Sequence, residues 1–495
     1  MSAPEPGSGP AQERPEADAR IVGVGTYAPT ARLSSEAVAE AWGRSKARGV
    51  DSVAIPAPDE DTLTMGVAAG RRALDAAGVN AADLSGLAFA TTTPPLAEED
   101  LTPRLGAALG VPADATTRYA GRSTRAATRA LRAARDAGAF PALVVAADAP
   151  RGDPTTVEGH AAGAGAAAVV LTGDHGTGAG LHGDAEAAAD YPGTRFRRPD
   201  SEAVEGLGVT TYDRSAFTRP IEAAVAGLDA DATVPAFDGA TLAVTAPDGD
   251  RPRRAASALG LDAVQTPVRT LGDTGAAGPL LGLAEALRGG ATRTLVVGWG
   301  SGAGADALLV DGLAPVAGDL GGDREVTYTE ALRLRGEVTS DDPPAGGGAA
   351  VSVPTWRRAT AARYRLLAGQ CPECEALAFP PEGACPNCHD LVEYESVRLP
   401  QTGTVETVTG VSPGGAPPEF ARQAERGGDY AVAIVSFERA GASVSVPMQV
   451  CDAAPDAVTA GDAVRATFRR VYEQEGVVRY GSKARLLDDA TDGES

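Results

Sequence analysis

The 495-residue sequence predicts an α/β protein made of two related sets of strand and helix layers, followed by a cysteine-rich module and a small all-β barrel. Three observations lead to it. Strand and helix signals alternate through the first two thirds of the chain, the pattern of α/β layers. Two stretches repeat one order, an apolar strand, a Gly-rich turn and a second apolar strand (ALVVAADA, AAGAGA, AAVVL; then TLVVGWG, GSGAGA, DALLV), which fits an internally repeated fold. Beyond residue 350 the texture changes to two CxxC pairs and five short alternating segments rich in β-branched residues. At roughly 150 residues per domain the length accommodates about three such units.

Residues 1–19, Pro-rich and acidic, read as a disordered arm. The α/β part spans 20–338. It opens with a β-rich run, a turn and a helix capped by Ser34 or Ser35. The helix TLTMGVAAGRRALDAAG then precedes the strand GLAFATTT; a helix around RAATRALRAARDAG precedes ALVVAADA, and GAAAVVLTG is a buried type of strand. After a polar, Gly- and Asp-rich region near 173–213 the second set follows: helix SAFTRPIEAAVAGL, strand TLAVTAP, helices RPRRAASALGL and PLLGLAEALRG, and strands TRTLVVGWG and ADALLV. Residues 339–354 are a linker by composition. A basic amphipathic helix, TWRRATAARYRLL, opens the module at 355–395. Segments TGTVETVTGV, YAVAIVSFE, ASVSVPMQV, AVRATFRRVY and VVRYGSKARL make a five-stranded barrel at 396–488, and an acidic tail covers 489–495.

Hydrophobic residues make up 43% and charged residues 22%, enough apolar material for packed cores. The net charge of −22 comes from 66 acidic against 44 basic residues, of which only Lys46 and Lys483 are lysine. Acid excess, scarce lysine and abundant Ala and Gly read as adaptation to a cytosol of molar salt, where the Debye length falls to ~3 Å. The same balance argues against a nucleic-acid partner, which needs clustered cations. No run approaches the ~20 apolar residues of a membrane span, and residues 1–20 lack an apolar targeting core, so the expectation is a cytoplasmic protein without a membrane partner.

Four of the five cysteines fall in CPECEALAFPPEGACPNC, which sets Cys371, Cys374, Cys385 and Cys388 as two CxxC knuckles. Each knuckle aims two thiolates at one ion, and the pair closes a tetrahedron of four sulfurs suited to structural zinc, or to iron in the same geometry. Four protein ligands leave no open position for a substrate water, so this metal holds structure. His389 reads as a surface side chain and Cys451 as a small core residue.

DEDTLTMGVAAGRRAL, GHAAGAGAAAVVLTG, LGDTGAAGPLLGLAEAL, VVGWGSGAGADALLV and VTYTEALRLRGEV, in that order, resemble the 3-hydroxy-3-methylglutaryl-CoA synthase branch of the thiolase superfamily over about residues 20–338. From Trp356 to about Leu487 the chain resembles the rubredoxin-like zinc-ribbon and OB-fold proteins that accompany acyl-CoA enzymes. The resemblance implies a thiolase-like α/β fold, an acyl-CoA ligand or a thiolase-family partner enzyme, and a homodimer or hetero-oligomer. Condensing members use a cysteine nucleophile, a glutamate acid/base and a histidine near the thioester. The cysteine position falls at Gly121 in RYAGRSTRAATRAL, the glutamate at Thr92, the histidine at Thr245, and a neighbouring asparagine at Asp273.

Three vacant roles in a retained scaffold make a non-catalytic subunit the leading reading, one that binds an acyl-CoA or a catalytic thiolase and docks through its ribbon and barrel. An active acyltransferase is the alternative, with Ser123 as acyl acceptor, Asp273 as base and Gly302 near an oxyanion-type turn; an interaction module without CoA is the third. Gly300, Ser301 and Gly302 read as a tight turn on the pantetheine path, His160 as a structural histidine, and Arg122 and Arg125 as a solvated helix face.

Overall fold

The computed structural model describes residues 19–173, 177–231, 234, 238–302, 304–338, 353–474 and 476–487. The expected arm (except Ala19), most of the linker and the acidic tail lie outside the described residues. Ala19 already belongs to the first strand, and helix resumes at Val353.

One eleven-stranded sheet organises the α/β part. Its first half uses β1 (Ala19–Tyr27), β2 (Gly86–Ala90), β3 (Thr116–Ala120), β4 (Ala142–Asp148) and β5 (Gly165–Gly173). The second uses β6 (Ala179–Ala187), β7 (Thr241–Val244), β8 (Ala263–Gln265), β9 (Arg293–Gly300) and β10 (Gly304–Asp311). Spatially the halves run β1-β5-β4-β2-β3 and β6-β10-β9-β7-β8, one topology twice, joined where Ala19–Ile21 pair with Ala179–Leu181. The repeat expected from the sequence is thus a repeat of topology. Val316 and Ala317 add a short parallel strand on β1.

Strands β4 and β5 are apolar because both their faces are covered, and β4 is buried at every residue. Helix α1 (Thr62–Ala77) lies on β1, β4 and β5. It approaches β1 so closely that a Cβ on Gly25 would fall 2.1 Å from the Ala69 carbonyl, which only glycine avoids. Asp61 caps α1, accepting from the N–H groups of Leu63 and Thr64 while the Thr64 hydroxyl accepts from the Asp61 N–H. Helix α2 (Ala126–Ala137) covers the other face, and α3 (Thr210–Asp229) and α4 (Gly278–Arg288) cover the second half. Arg125 at the start of α2 is no solvated side chain. It is fully buried and forks onto Asp306 of β10, with Nε and Nη2 at 3.0 and 2.6 Å, because the paired charge satisfies both groups inside the sheet.

The C-terminal part opens with two short helices, Val353–Arg358 and Thr360–Arg365, where one amphipathic helix was expected. The break falls at Ala359, beside the Thr360 hydroxyl that donates to the Trp356 carbonyl. Leu366 then adopts a left-handed conformation and buries itself with the barrel. Five strands close the barrel: β11 (Thr402–Val411), β12 (Tyr430–Arg439), β13 (Ala442–Cys451), β14 (Ala463–Gln474) and β15 (Val477–Leu486), in the order β11-β12-β13-β15-β14. Each coincides with an expected segment, since alternating inward residues are the clearest mark of a small barrel. Cys451 is buried in β13, as expected.

The barrel is packed into the α/β part. Trp356, Tyr364, Phe468, Val478 and Tyr480 share one apolar cluster with Leu63, Met65, Leu105 and Phe89. Polar contacts complete the junction at the start of α1. Lys483, only 1% exposed, donates to Asp59 at 2.9 Å; Arg469 pairs with Glu60 and with Asp452; and Tyr480 donates to Asp61 at 2.7 Å. Glu60 also accepts from the Tyr27 hydroxyl.

Burial alone would raise the Asp59 carboxyl, but Lys483 and then Arg469 outweigh it and hold it below its ordinary value. A lowered carboxylate contributes stability above its unfolded-state value and loses it as pH falls through the folded one, so acid should weaken the Asp59–Lys483 pair, while the neighbouring Glu60, which burial raises, acts in the opposite direction. Lys483→Met strands the Asp59 charge in the interior and should cost about 3–5 kcal/mol of stability. Asp59→Asn added to Lys483→Met should recover part of that loss in denaturant titrations; a single variant as stable as the parent would remove the ion pair from the account.

Candidate functional site

A cleft of about 1080 Å³ opens between the α/β part and the barrel. Thr92, Gly121, Ser123 and Ser301 all line it. Thr245 and Asp273 do not; they line a separate narrow void with Gly272, Thr274 and Gly278. Arg195 faces the cleft and is paired with Asp273, so this ion pair stands between the two spaces.

At Gly121 the loop after β3 passes over Tyr119. A side chain there would place its Cβ 3.2 Å from the Thr91 carbonyl and 3.3 Å from the Tyr119 ring. Burial pushes the Tyr119 hydroxyl up to about 12, helped by Asp148 and Asp100, so it stays a protonated phenol. Arg122, next in the chain, is exposed and holds φ 64.

Thr92 is committed to structure. Its hydroxyl donates to Asp148 at 2.7 Å, and Thr91 and Thr93 donate to the same carboxylate at 2.8 and 2.9 Å. The N–H groups of Thr92, Thr93 and Ala276 complete the set at 2.6, 3.0 and 2.6 Å. Asp148 ends β4 with no exposed surface, so six donors satisfy both its oxygens. The loop that would carry an acid/base is pinned by one.

Ser123 is nearly buried, and its Oγ accepts from the Arg125 N–H at 3.3 Å. Among the described residues no histidine, lysine or carboxylate side chain hydrogen-bonds it. Gly300 leaves room for it: a Cβ there would meet Ser123 Oγ at 2.4 Å. Gly302, with φ 74, turns the chain between β9 and β10. Asp273 has one oxygen on Arg195 and the other on the Gly275 N–H at 2.9 Å. The Thr245 hydroxyl is buried without a hydrogen-bond partner among the described residues. His160 Nδ1 accepts from the Lys46 N–H at 3.0 Å, which makes Nε2 the donor to the Pro154 carbonyl, also at 3.0 Å. Burial lowers its basicity, and both nitrogens serve the backbone.

Two participants were missed in the sequence, Asp148 and Arg195. The first left a signal, an acid closing an otherwise apolar strand; the second sits in a polar stretch with no periodicity to read.

At the other end of the molecule the cysteine knuckles form matched loops. The N–H groups of Glu375 and His389 return to the carbonyls of Cys371 and Cys385 at 2.9 and 3.0 Å, and both residues take left-handed backbone. The four sulfurs lie within 4.8 Å of one another, with Cys371–Cys388 at 3.8 Å and Cys374–Cys385 at 3.5 Å. A tetrahedron with Zn–S of ~2.3 Å has edges of ~3.8 Å, so the set fits zinc and closes its shell. His389 is exposed and outside the set. The Asn387 side chain and the Ala376 N–H pull the Cys374 thiol down to about 6, while burial raises Cys371, and burial and the neighbouring thiols raise Cys388.

The ribbon matches the family model described as ChsH2, rubredoxin-like zinc ribbon domain, over residues 358–393. The α/β part is 31% identical over 309 residues to the hydroxymethylglutaryl-CoA synthase of Aeropyrum pernix, covering 59% of this chain and 84% of that one. The C-terminal part is 34% identical over 139 residues to a DUF35 domain-containing scaffold protein of Methanocaldococcus jannaschii, covering 28% of this chain and 92% of that one. Among solved structures, an HMG-CoA synthase complexed with CoA superposes with a TM-score of 0.56 at 16% identity, over 68% of this chain and 94% of that one. The priming β-ketosynthase of the R1128 polyketide pathway gives 0.52 at 21%, over 62% and 99%. These two show the fold alone.

The ribbon and barrel share a core through Leu366, Ala368 and Leu377. Purified protein should therefore carry about one zinc per chain, and its removal by a chelator, or Cys374→Ser, should unfold the ribbon and lower the melting temperature of the barrel. Metal-free protein with an unchanged melt would refute this. Thiolase-like layers, a zinc ribbon and a closed barrel on one polypeptide place the chain in the hydroxymethylglutaryl-CoA synthase family, with a DUF35-type module as its C-terminal part.

Proposed function

We propose that the protein binds an acyl-CoA in the cleft and does not condense it, acting as a thiolase-fold subunit that holds or passes on a thioester. One observation carries this reading: the three positions that would act on the thioester are chemically spent together. Gly121 has no side chain, the Thr92 hydroxyl is bound to Asp148, and Thr245 lies outside the cleft. The scaffold around them is kept, including a cleft large enough for a small-molecule ligand. A partner enzyme of the thiolase family fits the C-terminal part, whose relative is named a scaffold protein. Self-association is a second part of the reading, supported by β3, which ends the sheet with Thr116, Thr117 and Arg118 exposed. Light scattering at twice the chain mass of 49.8 kDa would support it, and a monomer would end it.

An active acyltransferase using Ser123 is the competing reading, favoured by the position of Ser123 on the cleft wall. A hydroxyl needs an adjacent base, and Ser123 hydrogen-bonds only a backbone N–H among the described residues. Intact mass before and after incubation with acetyl-CoA and acetoacetyl-CoA, with free CoA followed in parallel, separates the two. The expected result is reversible binding, an unchanged mass and no released CoA. An acyl adduct on Ser123 that disappears in Ser123→Ala would establish the enzyme instead.

A further inference from the structure

The cleft is positive in a strongly acidic protein: eight arginines line it against four carboxylates, while the chain as a whole carries −22. The arginines come from both parts of the molecule. Arg426 lies on the helix Pro418–Gly427 of the barrel and Arg470 on β14; Arg151 follows β4, and Arg335 ends the helix Tyr328–Arg335.

Arg335 and Arg426 are the unusual pair. Arg335 is 7% exposed and bonds the carbonyls of Gly159 and Ala162, the latter at 2.6 Å. Arg426 places Nε 2.9 Å from the Leu334 carbonyl at the end of the neighbouring helix, with Nη2 on the same oxygen. Among the described residues neither guanidinium has a carboxylate in an ion pair. Arg151 pairs with exposed Glu202 at 2.6 Å, and Arg470 stands 3.8 Å from Asp61 and 3.5 Å from Glu473. Burial, together with the charges of Arg151 and Arg470, brings Arg426 down to about 10, so these guanidinium groups repel one another in a partly desolvated space. Gathering like charges away from water costs free energy that a bound anion would return.

We propose that Arg151, Arg335, Arg426 and Arg470 form an anion subsite at the junction of the two parts, and that it takes a phosphoryl group. A phosphomonoester or diphosphate matches this set better than one carboxylate does, because it offers up to two negative charges and three or more acceptor oxygens to several guanidinium forks. Half of the subsite belongs to the barrel, which makes the C-terminal part a wall of the ligand site as well as a neighbour. Only the identity of the remainder of the ligand rests on the thioester reading above.

Isothermal titration of the full-length protein with inorganic pyrophosphate, CoA and 3′-dephospho-CoA at fixed KCl concentration tests it. Arg426→Gln and Arg470→Gln should each weaken pyrophosphate binding about tenfold or more, the worth of a charge-assisted hydrogen bond. Arg129→Gln, on the outer face of α2, should leave it unchanged. Arg426→Lys, which keeps the charge, should fall between. Binding is compared among variants whose thermal melts match the parent, and Arg470→Gln stands in where Arg426→Gln fails that check. Absence of pyrophosphate binding, or equal binding by parent and both glutamine variants, overturns the subsite. If CoA binds while pyrophosphate does not, the thioester reading survives and the subsite falls; the reverse keeps the subsite and removes the thioester. Tighter binding of CoA than of pyrophosphate assigns the phosphoryl group to the carrier, and equal binding assigns it to the free anion.

Discussion

The acidic turn that starts α1 is the constraint on which the architecture rests. Asp59, Glu60 and Asp61 stand side by side where a helix N-terminus favours negative charge. Asp61 is spent as the cap, and the other two meet the barrel's buried cations. In a chain so rich in acid, a carboxylate finds a cation inside only where one is supplied, and Lys483 and Arg469 supply it. The pairing acts together with the aromatic cluster of β14 and β15 and the Arg470 N–H on the Asp59 carbonyl to seat the barrel on α1. Fold, junction and cleft are one problem solved at one turn.

The positions taken from the family sit in a hydrogen-bonded interior that holds its polar groups in pairs. Three consecutive threonines converge on Asp148, which also accepts the N–H of Ala276. A buried carboxylate that accepts from six donors is fixed in place, and it fixes the loop of threonines in turn. Arg195 does the same to Asp273. In both places a polar group is kept in the interior and given a partner, which is how the fold keeps its shape there.

Much of this was legible in the sequence, for reasons that differ by region. The barrel strands alternate, the β4 and β5 runs are apolar throughout, and the cysteine spacing names its own geometry; each is a local signal. The duplicated topology followed from the order of such signals. Long-range pairing was not legible. Arg125 reads as one more arginine on a basic helix start, and nothing nearby announces Asp306, 181 residues away. Arg426 lies between two barrel segments in a stretch given no element from the sequence, and Arg470 lies in an alternating strand, yet the packing of the barrel brings both to the cleft between the two parts of the chain. Gly121, Thr92, Thr245 and Asp273 were placed by resemblance; the spent state of Thr92 and the separation of Thr245 from the cleft needed coordinates.

The burial of Lys483 has a practical corollary. Of the two lysines in the sequence, one is sealed in the junction and the other, Lys46, is exposed, its ammonium group turned to the Thr155 carbonyl. The folded protein therefore offers a single accessible lysine side chain to amine-directed reagents. Beside the chain's α-amino group, a dye or cross-linker of that kind would find one lysine side chain, Lys46, and the appearance of labelled Lys483 would signal that the barrel had come away.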